Sequence, residues 1–104
     1  MKQCAHCPWK TSTDPNKDIP NGYNRRLHIQ LRRTLAKPGE LDFRLRAMAC
    51  HESPKGAEYP CVGWVNHQLN EGNNIALRLL ARDGRFKNLQ LDGEQHGTFE
   101  ATLG

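Results

Sequence analysis

Long apolar runs are absent from this sequence. No stretch approaches the roughly 20 apolar residues of a membrane-crossing helix, so no membrane partner is expected. Aromatic residues are scarce at 7%, hydrophobic residues reach 37%, and mean hydropathy is −0.79. A chain of 104 residues with so little to bury makes one domain with a modest core, and an auxiliary staple is expected on thermodynamic grounds. The opening residues Met1-Lys2-Gln3-Cys4 also lack the apolar plan of a signal peptide. The expectation is a cytoplasmic protein, in which thiols stay reduced. There is no internal repeat and no low-complexity tract.

What the chain does have is four cysteines. Two disulfides, with three possible pairings, are the alternative to a metal site, and a reducing compartment favours the metal. In Cys4-x-x-Cys7 two intervening residues let both sulfurs reach one ion about 2.3 Å away from a tight turn, and Pro8 stiffens that turn. Cys50 and Cys61 form no second knuckle; one ends an expected strand and the other opens an expected helix, where the helix dipole favours a thiolate. Cys4, Cys7, Cys50 and Cys61 are therefore the candidate ligands, with His51 as the alternative that would most simply replace Cys50. His51 otherwise orients a sulfur through a hydrogen bond. His6 should point outward, and His28, His67 and His96 lack ligand-like spacing. Zn²⁺ is the default ion for such a donor set, and an iron–sulfur cluster is the alternative.

Between these sites the pattern is helical, then alternating, then helical. From Tyr23 to Ala36, residues Tyr23, Leu27, Leu31 and Leu35 recur every fourth position, with Arg25, Arg26, Arg32, Arg33 and Lys37 opposite and Ile29 among the cations. Lys37-Pro38-Gly39 stops that helix. Leu41 to Cys50 alternates like a strand, although Leu, Arg, Ala and Met would also suit a helix. Cys61 to Leu69 follows Pro60 as a short helix, and Asn73 or Asn74 caps another, Ile75–Arg82, that Gly84 ends. The predicted fold is α+β: a small zinc-stapled domain over residues 1–91 with a basic helix, a short strand pair and two further helices, then a flexible tail over 92–104.

Charge narrows the class of partner. Residues 1–50 hold ten Lys and Arg against four acids, a surplus of six, which leaves the second half at −2 within a net charge of +4. An acidic partner is implied, either a protein surface or nucleic acid, contacted by Arg25, Arg26, Ile29, Arg32, Arg33 and Lys37. A protein surface is favoured, because no nucleic-acid-reading motif is present and Ile29 suits an apolar anchor. Trp9 and Trp64, each near a candidate ligand, wall the site or offer a stacking platform. An enzyme is the rival class. His51-Glu52 and Pro60-Cys61 echo the zinc deaminases, but the His–Glu spacing is short by one and Trp64 stands where a further cysteine is needed. A redox reading of Cys4-x-x-Cys7 lacks a preceding strand.

Taken in order, Cys4-Ala5-His6-Cys7-Pro8-Trp9-Lys10, Ile19-Pro20 … Tyr23, Ala49-Cys50-His51, Cys61-Val62-Gly63-Trp64 and Ile75-Ala76-Leu77-Arg78 resemble a group of small proteins from phages and bacterial genomes. Their pattern runs C-x-x-C-P-W-[RK], C-H, then C-x-G-W and a helix, and the likeness covers about residues 4–82. The resemblance implies a zinc-binding fold. A phage setting would imply an accessory role, such as binding and inhibiting a host nuclease or defence complex.

Overall fold

A computed structural model describes residues 2–14, 17–19, 23–35, 39, 47–53, 56–84 and 86–103. Among them are three α-helices: α1 (Arg25–Gln30), α2 (Val62–Leu69) and α3 (Ile75–Leu80). Short 3₁₀ turns follow at Leu31–Thr34, Ala81–Asp83 and Glu100–Leu103.

Helix α1 begins where Asn24, in extended conformation, accepts the Leu27 N–H on its side chain at 3.0 Å. It tightens at once into the 3₁₀ turn and ends at Leu35. The expected leucine face is only partly right. Leu27 is 44% exposed, whereas His28 is fully buried. Strict four-residue spacing drifts around a helix of 3.6 residues per turn, and the 3₁₀ tightening rotates the remaining positions further. The buried place goes to His28 because both its ring nitrogens find partners.

Helix α2 is the centre of the molecule and is buried along most of its length. Trp64 donates its indole N–H to the Thr34 carbonyl at 3.1 Å, tying α2 to the end of the basic segment. The chain leaves α2 through Gly72, whose N–H returns to His67, and Asn73, which takes a left-handed φ of 41°. Asn74 then caps α3 by accepting the Leu77 N–H at 3.0 Å, and Gly84 follows the last turn with φ 86°. These are the cap and stop that the sequence predicts.

The expected strand pair is not found. Among the described residues there are only isolated bridges, at Lys2–Gln90, Lys10–Gln95 and Ala49–Pro60, and no strand, so the α+β assignment gives way to a small helical fold. Residues 41–46 of the expected strand lie outside the described residues. At its end the pairing is a single rung, and the chain turns at His51.

Described residues of the segment 92–103, expected as a tail, have partners in the rest of the chain. Gln3 donates to Gln90, Thr11 to Glu94 and His96 to Trp9, so the C-terminal segment runs along the N-terminal knuckle. Phe99 and Thr102 are then buried, at 2% and 1% exposure. The core comprises Cys7, Trp9, Met48, Cys61, Trp64, Val65, Leu77 and Phe99, so two candidate ligands are themselves core residues. Among the described residues no helix is long and apolar enough to cross a membrane.

Candidate metal centre

Three segments deliver the sulfurs. In the first, the Cys7 N–H points back to the Cys4 carbonyl at 3.4 Å, and the Lys10 N–H to that of Cys7 at 3.1 Å, which coils residues 4–10 into consecutive turns. The ammonium of Lys10 bonds the Ala5 carbonyl at 3.1 Å and the Asp92 carboxylate at 2.6 Å, pinning the tip of the knuckle to the C-terminal segment. The second and third segments meet at the Ala49–Pro60 bridge. Cys50 donates to the Tyr59 carbonyl and Cys61 to that of Met48, both at 2.8 Å. These bonds flank the bridge, so the pair between them needs no N–H from Pro60. Side chains alternate along such a pairing, which turns Met48, Cys50 and Cys61 to the interior and leaves Ala49 exposed. Cys61 is also the N-cap residue of α2.

The sulfurs are neighbours without being bonded: all four cysteines are free thiols. Cys7 Sγ lies 3.6 Å from Cys61 Sγ, and Cys4 Sγ lies 4.0 Å from His51 Nδ1. The donor atoms of Cys4, Cys50 and His51 all lie within 4.8 Å of one another, close enough to hold a metal ion. Cys4 links the two groups, since its sulfur interacts with those of both Cys7 and Cys50.

Crowding makes the cluster electrostatically lopsided. Cys7 is pulled down to about 3, first because the Cys4 and Cys61 thiols bond to its sulfur, with burial opposing and the Trp9 N–H and Gln3 assisting. The same contacts push Cys4 and Cys61 well above the ordinary thiol range; each has its bond to Cys7 as the leading cause and burial as the next. By itself the cluster thus concentrates negative charge on Cys7 and keeps these two neighbours protonated. A dication would reverse that balance by stabilising further thiolates.

His51 is built as a further donor. Its side chain is 11% exposed, and Nε2 lies 4.0 Å from the Glu52 carboxylate. That nitrogen is buried with no hydrogen-bond partner among the described residues. A metal-binding histidine commonly turns its second nitrogen towards a carboxylate, which is the layout here. Burial lowers the pKa of His51, with Glu52 opposing, so the ring favours the neutral form that ligates. His6 is exposed, as expected, 3.9 Å from the same carboxylate.

Both tryptophans are walls. Trp9 and Trp64 are each 1% exposed, and Trp9 stacks on His67 with ring centres 4.5 Å apart. Neither ring has a face open to a base. Outside the knuckle a cleft of about 570 Å³ is bordered by Lys2, Cys4, Cys50, Tyr59, Leu91 and Asp92.

The expected partner-binding residues divide into two sets. Arg25, Arg26, Ile29, Arg32 and Arg33 are all exposed, but Arg25 reaches the Leu103 carbonyl at 3.5 Å and Arg32 pairs with Glu100 at 3.6 Å. The Arg32 guanidinium also lies 5.7 Å from the centre of the Phe99 ring. Lys37 lies outside the described residues.

A polar chain joins α1 to the C-terminal turn, and spacing in the sequence carries no signal for it. The Thr102 hydroxyl donates to the Phe99 carbonyl, so it accepts from His28 Nε2 at 2.6 Å, while Tyr23 donates to Nδ1 at 2.5 Å. Burial lowers the pKa of His28 to about 4, partly offset by Cys7. No family model, curated protein or solved structure matches the chain.

Proposed function

We propose that this chain is a non-catalytic, zinc-stabilised binding module whose ion is held by Cys4, Cys7, Cys50 and Cys61. The observation that carries this is the convergence of buried sulfurs from separate segments, with Cys7 and Cys61 at 3.6 Å. A tetrahedral ion with metal–sulfur bonds of 2.3 Å needs sulfurs about 3.8 Å apart, whereas a disulfide would bring them to about 2.05 Å. The 3.6 Å spacing suits the first and not the second. A bound zinc would supply the positive charge that lets several buried sulfurs ionise, and would tie the knuckle to the start of α2. Four thiolates fill a tetrahedral shell and leave no place for a reactive water, which favours binding over catalysis.

The partner surface is the exposed side of α1 and the turn after it. Arg26 and Arg33 supply charge there, and Leu27 and Ile29, at 44% and 36% exposure, supply apolar contact. Aliphatic side chains between arginines favour an acidic protein surface over a phosphate backbone. Elemental analysis of the purified protein should find one equivalent of zinc, with iron and the brown colour of a cluster absent. Capture of a partner should weaken only moderately with salt; a steep salt dependence with bound nucleic acid would transfer the surface to DNA or RNA.

A further inference from the structure

The candidate ligands differ in their access to solvent. Cys7, Cys50 and Cys61 are 0%, 7% and 2% exposed, whereas Cys4 is only partly buried. Cys4 and Cys50 both border the cleft of about 570 Å³ and an adjoining one of about 260 Å³, and Cys4 is the more exposed of the two. Beside it waits the surplus donor, since His51 Nδ1 is 4.0 Å from Cys4 Sγ and the His51 ring is nearly enclosed. The ligand set proposed above uses four cysteines, whereas the donor atoms that lie within 4.8 Å of one another are those of Cys4, Cys50 and His51, so His51 is a fifth donor beside the more exposed of the two cysteines on the cleft.

We infer that Cys4 is a replaceable ligand that reacts with small alkyl electrophiles entering this cleft, and that His51 takes over its place on the metal. The inference rests on the zinc site proposed above. As a metal ligand, Cys4 Sγ is a thiolate and has no proton to lose. Its lone pair attacks a saturated carbon bearing a leaving group. The carbon–sulfur bond forms as the bond to the leaving group breaks, and the leaving group departs as an anion with that electron pair. Lys2, an exposed residue on the wall of the same cleft, supplies a positive charge near the departing anion. The resulting thioether is neutral and a poorer ligand, so the vacated position passes to His51 Nδ1. The remaining shell has three thiolates and one imidazole, a standard closed set for zinc.

The test treats the full-length, zinc-loaded protein with a limiting amount of iodoacetamide, followed by peptide mapping and zinc quantification with a chromogenic chelator. The expected result is alkylation of Cys4 about tenfold ahead of the other cysteines, in line with its exposure, with zinc retained. In His51→Gln and His51→Ala, Cys4 should alkylate comparably but zinc should leave with it. First labelling at Cys7, Cys50 or Cys61 overturns the inference. So does zinc loss from the wild type in step with Cys4 alkylation, or equal retention in the His51 variants. If neither His51 variant holds zinc before treatment, His51 is an obligatory ligand and the exchange also falls. Untreated wild-type protein without zinc would sink the binding-module proposal itself, whereas zinc present with the wrong labelling pattern would sink only this one.

Discussion

Gly63 leaves room for the Cys7 sulfur: a Cβ at position 63 would lie 2.8 Å from Sγ of Cys7 and 2.6 Å from Cβ of Trp9. The glycine thus allows the first turn of α2 to close on the knuckle. It explains why a residue with no side chain follows Cys61-Val62, where a better helix former would otherwise be favoured.

Gly63→Ala should therefore destabilise the protein by roughly 1–3 kcal/mol through overpacking, despite its gain in helix propensity. Affinity for the proposed zinc should fall with it, since the Cys7 sulfur is among the atoms displaced. Thermal melts and competition with a chromogenic chelator measure the two effects. An unchanged melting temperature would mean that the two segments are less closely packed.

Removing the proposed zinc should unfold the chain. Structural zinc contributes on the order of 10 kcal/mol, as much as or more than the whole stability of a small domain. Circular dichroism with and without a strong chelator is the measurement. Cys7→Ser and Cys61→Ser should mimic chelation, because both sulfurs also belong to the core. A full cooperative melt in chelator would refute the staple.

Acid should weaken the fold through His28. Its pKa lies near 4 when folded, against an ordinary 6.5. The unfolded chain therefore takes up the proton first, and the contribution of this residue is complete above about pH 6.5 and declines as pH falls towards 4. Between pH 7.5 and 5.5 the wild type should lose about 1 kcal/mol more than His28→Gln in denaturant titrations. Equal losses would show that the imidazole is not held neutral. Tyr23→Phe, which strips Nδ1 of its donor, should cost roughly 1–3 kcal/mol.

Charge reversals should separate the arginines by role. Arg26→Glu and Arg33→Glu should weaken partner capture while changing stability by less than about 0.5 kcal/mol. Arg32→Glu faces Glu100 and Phe99 and should also cost up to about 1 kcal/mol in stability. Identical melts with undiminished capture for Arg26→Glu and Arg33→Glu would remove this face as the binding surface.

Features that depend on a few adjacent residues were legible in the sequence. The Cys4–Cys7 turn, the Asn74 cap and the Gly84 stop are local, because backbone hydrogen bonding and φ preference decide them within one turn of chain. The leucine face of α1 is only partly right, since periodicity alone cannot foresee a 3₁₀ turn or a histidine satisfied by the hydroxyls of nearby Tyr23 and distant Thr102. Phe99 was missed for a related reason: a single aromatic among polar residues has no period, yet it docks on Trp9 with ring centres 6.1 Å apart.

Composition and spacing, then, determined by themselves that the core would be small and that a metal staple was to be expected. Only the tertiary structure decided that Cys50 and Cys61 face the same interior, that His51 stands beside Cys4, and that the last residues close over α1. Those relations depend on pairing register and on contacts between residues far apart in sequence. Their free energy is realised only when the segments meet.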